Sequence, residues 1–203
     1  MKIVLASKSP RRKDLLESAG MDFEIVVSDK DEIITKEKPD EIVCELAFSK
    51  ADEVWNKIKH QEGAEYEGET MVIAADTLVF LGNLHLGKPK GRDNAYSMLK
   101  MLSGKTHQVY TGVAIFIGNE TITRRINFYE KTDVEFFEIS DEEIWDYIDS
   151  GEPMDKAGAY AIQTGFCKHI KGIKGDYANV VGLPLSRVYQ EIKPYLKGRK
   201  DNV

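Results

Sequence analysis

Two serines and two arginines stand near the start of the chain, where a short apolar run gives way to a helix. The run ends at Ser7, Ser9 suits the N-cap of a helix, and Pro10 suits its first position. A helix N-terminus presents unpaired N–H groups and the positive end of the helix dipole, and both favour anions. Arg11 and Arg12 add planar guanidinium groups that match phosphate oxygens. The segment predicts a phosphate site, and the alternative is a solvated first turn with surface arginines.

A carboxylate interrupts a strand that is otherwise apolar on both faces. The stretch Met71–Phe80 is polar only at Asp76 and Thr77, which is typical of a central strand covered on both sides. A carboxylate there loses hydration and needs donors, a cation or a metal as partners. We interpret Asp76 as a general base on water or a Mg²⁺ ligand, two roles that the sequence does not separate. The alternative is a structural aspartate that caps a nearby loop.

A lysine falls on the apolar stripe of the helix predicted over 39–59. Lys50 lies seven residues after Val43, on the face that should pack against the core. Such a lysine must extend its ammonium to solvent, pair with an acid or contact an anionic ligand. We keep Lys50 as a candidate because its neighbours point to an anionic ligand.

Two further polar residues stand at positions where the backbone could direct them. Lys88 lies between a glycine and a proline, after a hairpin that would return the chain toward Asp76; its alternative is an exposed loop lysine. Gln163 ends an apolar segment predicted as a strand at 159–162, and its amide can both donate and accept a hydrogen bond. This amide could read the imide or amide edge of a base.

The elements that must position these residues alternate between helices and strands. Periodicity and turn signals predict strand 2–7, helix 10–19, strand 23–28, helix 39–59, a loop over His60–Thr70, strands 71–80 and 84–86, helix 92–103, strands 107–117 and 121–138, helix 141–150, a strand at 159–162, a hairpin around Gly172–Gly175 and a last helix from Pro184. This order predicts an α/β fold with a mixed sheet and flanking helices. We expect a single domain over residues 1–203.

Composition excludes several classes of protein. The 203 residues carry a net charge of −6, which argues against broad nucleic-acid binding, so phosphate recognition must be a local pocket. No apolar run is long enough to cross a bilayer, and we expect no membrane partner. Cys44 and Cys167 show no metal or redox spacing, so we expect a cytoplasmic protein. The four histidines show no zinc spacing, and a required metal would be a hard cation such as Mg²⁺.

Taken together, the motifs resemble the Maf family of nucleoside triphosphate pyrophosphatases. Each motif alone is weak, and their number and order make the resemblance specific. It covers nearly the whole chain, through Leu5-Ala-Ser-Lys-Ser-Pro-Arg-Arg12, Ala47-Phe-Ser-Lys-Ala51, Ala75-Asp-Thr-Leu-Val79, Gly87-Lys-Pro89, Leu102-Ser-Gly104, Tyr110-Thr-Gly-Val113, Gly151-Glu-Pro-Met-Asp-Lys-Ala-Gly-Ala-Tyr160, Ile162-Gln163 and Val180-Val-Gly-Leu-Pro184.

The resemblance implies both a fold and a reaction. The fold would be a mixed-sheet α/β structure with two lobes around a cleft, related to inosine triphosphatase. The reaction would be cleavage of a nucleoside triphosphate between its α and β phosphates, dependent on a divalent cation (Mg²⁺, Mn²⁺ or Co²⁺). A homodimer would fit the family.

The resemblance also implies roles for individual residues. Asp76 matches the catalytic base, and Glu32 matches an acid that helps to hold the metal together with Asp76. A second group matches positions associated with substrate phosphates and charge neutralisation: Ser7, Ser9, Arg12, Lys50 and Lys88. A third group matches the positions that separate specificity branches: Arg11, Thr77 and Gln163.

The third group resembles the branch that acts on dTTP and UTP. The branch acting on 7-methylated GTP has a tryptophan at the position of Arg11 and lacks the Asp76-Thr77 pair. Thr164–Cys167 departs from the glycine-richer segment typical of the family. Two alternatives remain: a pyrophosphatase for modified pyrimidine or methylated nucleotides, and a non-catalytic nucleotide-binding regulator of cell division.

Overall fold

Seven strands form one mixed sheet in the computed structural model, which describes residues 1–59, 69–119 and 121–196. The strands are β1 (Lys2–Leu5), β2 (Glu24–Ile25), β3 (Thr70–Leu81), β4 (Leu84–Leu86), β5 (Thr106–Gly118), β6 (Thr123–Phe136) and β7 (Ile170–Lys174). Their order is β2-β1-β3-β5-β6-β7, with β4 also paired to β3. Because β1 runs parallel to β2 and β3 while β4 and β7 pair antiparallel, the predicted mixed sheet is confirmed.

Six α-helices accompany the sheet within the described residues. They are α1 (Pro10–Ser18), α2 (Pro39–Lys59), α3 (Arg92–Leu102), α4 (Asp141–Asp149), α5 (Tyr177–Val181) and α6 (Leu185–Leu196). The helix α4 begins with the capping box of Ser140 and Glu143, in which each residue satisfies a backbone N–H of the other. No described helix is long and apolar enough to cross a membrane.

The chain divides into two compact units. The first unit holds residues 1–76, 112–129 and 182–203, and the second holds residues 77–111 and 130–181. The prediction of a single domain over 1–203 stays a prediction, as do the two lobes and the cleft.

The first unit packs its apolar residues on both faces of its part of the sheet. Alternate residues of β1 and β3 separate accordingly, because successive strand side chains point to opposite faces. Leu5 and Ile73 pack with α1 and α6, whereas Val72 and Ala74 pack with α2. The even-numbered row of β3 therefore faces α2, and Asp76 is the next residue of that row.

The helix α2 lies unusually close to β5. A Cβ atom added to Gly112 would stand 2.2 Å from the Val43 carbonyl oxygen, inside any real contact distance. Only glycine permits this approach, and the approach sets how near the side chains of α2 come to β3.

The second unit has its own core, in which aromatic rings pack between α3, α4 and the sheet. Phe136 is fully buried against Phe166 and Tyr160. Gly158, at φ +69°, brings the backbone against Val79 and donates its N–H to the carbonyl oxygen of Gly87 at 3.0 Å. This contact ties the loop that carries Lys88 to the segment before Tyr160.

Most predicted elements are confirmed within a few residues, and three differ. The predicted strand at 159–162 is wrong: Ala157–Ala159 is a 3-10 turn, and the buried residues after it form no ladder. The cause is backbone conformation, because Gly158 and Ala159 both have positive φ, which ends an extended segment. The strand predicted at 23–28 is only two residues long, and β7 pairs with β6 where a separate hairpin was predicted. Most of the predicted loop His60–Thr70 lies outside the described residues.

Candidate active site

The turn between β1 and α1 is organised by the hydroxyl of Ser7. Its Oγ accepts the backbone N–H of Ser9 at 3.2 Å and an N–H of the Arg12 guanidinium at 3.0 Å. Ser9 is the N-cap residue, as predicted, and its side chain makes no capping hydrogen bond. The first turn of α1 is therefore held from outside by Ser7, and the Ser9 hydroxyl is not used as a cap.

Arg12 is fixed by a residue from the far end of the chain. Its Nε donates to the carbonyl oxygen of Gly182 at 2.8 Å. Burial lowers the pKa of Arg12, whereas the charges of Asp76 and Glu32 act in the opposite direction. The guanidinium is therefore partly buried, oriented at two points and placed within the field of two carboxylates.

Asp76 and Lys50 form a close pair at the face of β3 that packs against α2. The Lys50 Nζ lies 2.5 Å from Asp76 Oδ1, and both side chains are largely removed from solvent, at 19% and 9% exposure. Of the three outcomes considered for Lys50, pairing with an acid is the one observed. The pairing is possible because Asp76 continues the row of Val72 and Ala74 toward α2.

The same ammonium contacts a second carboxylate. Lys50 Nζ lies 2.7 Å from Oε1 of Glu32, which stands on the exposed segment between β2 and α2. Two carboxylates thus share one ammonium, and the cluster of Glu32, Lys50 and Asp76 carries a formal excess of one negative charge. Such a cluster favours the approach of a further cation.

One oxygen of the buried carboxylate has no hydrogen-bond partner among the described residues. Asp76 Oδ2 is removed from solvent and accepts no hydrogen bond from residues 1–59, 69–119 or 121–196, whereas buried polar atoms are ordinarily paired. No cluster of three or more His, Cys, Asp or Glu residues suited to a metal occurs among residues 1–59, 69–119 and 121–196. A divalent cation would therefore have two protein carboxylates, Asp76 and Glu32. That donor set fits Mg²⁺, which takes few protein ligands and completes its shell with water and phosphate.

In the second unit, Thr77 belongs to a buried network of neutral groups. Its hydroxyl lies 2.9 Å from the Thr111 hydroxyl, which donates its proton to the carbonyl oxygen of Asn179 at 2.9 Å. Since Thr111 has only one proton to give, Thr77 is the donor in the pair of hydroxyls. The fully buried Asn179 side chain donates to Val109 O and to Thr132 Oγ1. This network fixes the rotamer of Thr77.

The other two candidates in the second unit are exposed. Lys88 follows the confirmed β3–β4 hairpin, between the partly buried Gly87 and the buried Pro89. Gln163 lies in a turn and not at the end of a strand, because the preceding segment has left the sheet. Both side chains are accessible to a ligand.

The structure adds site residues that local sequence patterns do not reveal. The Gly182 carbonyl oxygen orients Arg12 across 170 positions of the chain, and the sequence marks Gly182 only as one residue of the motif Val180–Pro184. No periodicity or spacing signals such a contact. The structure brings together Ser7, Arg12, Glu32, Lys50 and Asp76 in the first unit, and it leaves Thr77, Lys88 and Gln163 in the second.

Comparison with known proteins identifies a matching family model and several similar relatives. Residues 2–195 match the family model described as Maf-like protein. A dTTP/UTP pyrophosphatase of Agathobacter rectalis is 52% identical over 196 residues, covering 94% of this chain and 96% of the relative. Proteins of the same name are 47% identical in Lachnoclostridium phytofermentans (95% of this chain, 94% of the relative) and 48% identical in Bacillus cereus (96% and 95%). On these grounds the chain belongs to the Maf-like protein family.

Proposed function

We propose that this protein hydrolyses nucleoside triphosphates between the α and β phosphates, releasing a nucleoside monophosphate and pyrophosphate. The observation that carries the proposal is the buried Asp76, with one oxygen on Lys50 and the other without a partner in the described part of the chain. The relatives named dTTP/UTP pyrophosphatase support the same reaction and suggest dTTP and UTP as preferred substrates.

In this proposal, positively charged side chains and hydroxyl groups of the first unit hold the triphosphate. Arg12 and Lys50 neutralise phosphate charge, and the N-terminal turn of α1, with Ser7 and Ser9, supplies uncharged donors. Lys88 is exposed and, as a position matched to substrate phosphate in the family, would add a further positive charge. Holding the triphosphate in one orientation is a large part of catalysis, because phosphoryl transfer depends on positioning and charge stabilisation.

Asp76 and Glu32 are the residues that hold the divalent cation in this proposal. Mg²⁺ is the first choice, with Mn²⁺ or Co²⁺ as substitutes, and its contribution when bound is to neutralise charge on the phosphates. An ionised carboxylate has several lone-pair directions, so Asp76 can face the cation and a water molecule at once.

The hydrolytic step uses Asp76 as a general base. A water molecule gives a proton to the carboxylate while the water oxygen bonds to the α phosphorus. The bond from that phosphorus to the oxygen bridging the α and β phosphates breaks, and pyrophosphate leaves with the electron pair. Lys50 holds the carboxylate through Oδ1, which leaves Oδ2 for the proton. No covalent intermediate is required, because water is the nucleophile.

Base preference is assigned to Arg11, Thr77 and Gln163. The Gln163 amide offers a donor and an acceptor, which can pair with the O–NH–O edge of thymine or uracil. A site built on such pairing rejects bases that leave its polar groups unpaired. We expect weak discrimination between dTTP and UTP and strong discrimination against ATP and GTP. The cytoplasmic location and the homodimer also stay predictions.

A product assay with a panel of triphosphates tests the proposal. The purified protein is incubated with dTTP, UTP, ATP, GTP and 7-methyl-GTP, with and without Mg²⁺, and all phosphate products are separated. We expect monophosphate and pyrophosphate in equal amounts, formed fastest from dTTP and UTP and only with the cation.

Each of the other outcomes would indicate a different function. Release of orthophosphate and a diphosphate would place cleavage at the wrong bond. Preference for 7-methyl-GTP or GTP would overturn the specificity assignment and favour the enzyme for modified nucleotides. Binding of dTTP with no product under any metal would favour the non-catalytic regulator.

A further inference from the structure

The segment that carries Glu32 lacks the usual means of holding a loop in place. Between β2 and α2 the chain has no regular secondary structure, and Val26 at its start packs against the core that contains α2. The apolar side chains next to Glu32, Ile33 and Ile34, are 67% and 45% exposed. Burial of these side chains therefore does little to fix the segment. Its position must come from polar contacts, and the structure shows where these are made.

One carboxylate of α2 holds the segment on the N-terminal side of Glu32. Glu53 accepts the Ser28 hydroxyl and the backbone N–H groups of Asp29 and Lys30, the latter two at 3.3 and 3.0 Å. The Lys57 ammonium lies 2.8 Å from the same carboxylate. Three donors from consecutive residues converge on one side chain, which is a specific cradle for the backbone.

A second carboxylate of α2 holds the segment on the C-terminal side of Glu32. Glu45 accepts the backbone N–H of Thr35 at 2.9 Å and the Thr35 hydroxyl at 2.5 Å. Glu45 and Glu53 are eight residues apart, which separates them by about 12 Å along the helix axis. Lys50 projects from between them and contacts Glu32 itself.

Both anchors are held in their ionised form. Burial raises the pKa of Glu53, but hydrogen bonds from Lys57, Ser28 and the two backbone amides outweigh it and lower the pKa to about 2. Hydrogen bonds from Thr35 lower the pKa of Glu45. An ionised carboxylate only accepts hydrogen bonds, so each anchor stays complementary to the donors of the segment at neutral pH.

We propose that Glu53 and Glu45 are positioning residues that fix the segment 28–35 on α2 and so deliver the Glu32 carboxylate to the cation site. One helix thereby sets the place of Lys50 and, through two anchors, the place of Glu32. The part of this inference that concerns the cation rests on the proposed function, whereas the anchoring itself stands on the contacts alone.

Substitutions at each anchor separate the two ends of the segment. In Glu53→Gln the amide keeps one acceptor and loses the charge, and in Glu53→Ala every contact is lost; Glu45→Gln tests the other end. Asp52→Asn is the matched control, because it removes a carboxylate from the adjacent position of α2, whose partners are Asn56 and Arg125. Thermal unfolding identifies any variant that fails to fold, and the remaining variants then carry the test.

The first readout is independent of activity. Amide hydrogen exchange of the metal-free protein should quicken by about tenfold or more at Asp29 and Lys30 in Glu53→Gln, with a larger change in Glu53→Ala. The same should occur at Thr35 in Glu45→Gln, and none of these amides should respond to Asp52→Asn. Unchanged exchange in folded variants would overturn the anchoring.

The second readout links the anchors to the cation. Mn²⁺ binding, followed by calorimetry, should weaken severalfold in the order wild type, Glu53→Gln, Glu53→Ala, and KM for the metal–dTTP complex should rise more than kcat falls. Quickened exchange with unchanged Mn²⁺ affinity and KM would overturn the delivery of Glu32. If the wild-type protein neither binds Mn²⁺ nor hydrolyses dTTP, the proposed function and the delivery step fail together, and the exchange data still decide the anchoring.

Discussion

The polar clusters of the two units differ in charge. In the first unit, Lys50 joins the carboxylates of Asp76 and Glu32, and all three groups are charged. In the second unit, Thr77 pairs with Thr111, which donates to the backbone carbonyl of Asn179, and every group is neutral. The adjacent residues Asp76 and Thr77 of β3 thus belong to two different kinds of site.

This difference in charge gives the two clusters different roles: charged groups attract a ligand, and neutral groups fix the shape of a surface. Charged groups act over several ångströms, recruit counter-ions and respond to the removal of any partner. Neutral hydrogen bonds act only at contact and depend on direction, so they hold side chains in one rotamer without attracting charge. The charged centre suits phosphate and metal chemistry, and the neutral centre suits the fixed geometry that selectivity needs.

Removing the charge of Asp76 should have the largest effect. Asp76→Asn keeps the size of the side chain and loses the group that accepts a proton from water. Turnover of dTTP should fall by about 10²- to 10⁴-fold, while dTTP binding is largely preserved. Asp93→Asn, an exposed acid in the first turn of α3, is the control. Turnover within about tenfold of wild type would contradict the role of a general base.

Removing the Lys50 ammonium that the two carboxylates share should have the second largest effect. Lys50→Met leaves the buried Asp76 carboxylate without its ammonium, so turnover and the free energy of unfolding should both fall. The stability loss should be about 2 kcal/mol, below that of a fully buried pair because Lys50 keeps some exposure. Steady-state kinetics and urea unfolding measure both effects, with the exposed Lys13→Met as control. An active and more stable Lys50→Met variant would show that the ammonium is dispensable.

Acid should affect the two units in different pH windows. Burial lowers the pKa of His107 to about 4. As the pH falls below about 6.5, the unfolded chain therefore binds a proton at His107 that the folded protein does not bind. Stability should therefore decline as pH falls from about 6.5 to 4, by about 3 kcal/mol in total. The depressed pKa of Glu53, about 2, adds a loss in the first unit only below about pH 4.5.

Unfolding measured across this range, with residue-resolved hydrogen exchange, tests the separation. His107→Gln removes the titrating ring while keeping a polar partner for the Tyr160 hydroxyl, which lies 2.8 Å from the ring nitrogen. Its unfolding free energy should vary less between pH 6.5 and 4. An identical slope in wild type and His107→Gln would remove His107 as the cause.

Breaking the neutral network should have the smallest effect on turnover. Thr111→Val keeps the shape and removes the hydroxyl that serves both Thr77 and the Asn179 carbonyl, so stability should fall by about 1–3 kcal/mol. The loss should not depend on ionic strength, because no charge is involved. Thr106→Val, exposed at the start of the same strand, is the control. A salt-dependent loss would show that the network is coupled to charged groups.

Periodic elements could be predicted from the sequence, and elements that depend on backbone conformation could not. The helix over 39–59 and the strand near 71–80 are long and strongly patterned, so burial of their apolar faces decides the outcome. The segment at 159–162 is equally apolar, but Gly158 and Ala159 at its start have positive φ, and apolar content alone does not reveal this. A short apolar run therefore predicts burial more safely than it predicts a strand.

The candidate site divides in the same way. Asp76 could be singled out because a carboxylate within an apolar strand breaks a local pattern. Its partner could not be chosen, because Lys50 is 26 positions away and three outcomes were open for it. Glu53 and Glu45 belong to a polar helix face with no unusual spacing, and only the tertiary structure shows the donors that they hold.

The glycine that lets α2 approach β5 has a consequence for the tolerance of the whole site. Lys50, Glu45 and Glu53 all project from α2, so the position of this helix sets the positions of all three side chains. Its distance from the sheet is limited by the backbone contact of Gly112 with Val43. Any larger residue at position 112 would push α2 away from β5. The Lys50 ammonium, both anchoring carboxylates and Glu32 would then move together. A position with no functional group of its own thus governs the precision of the chemistry.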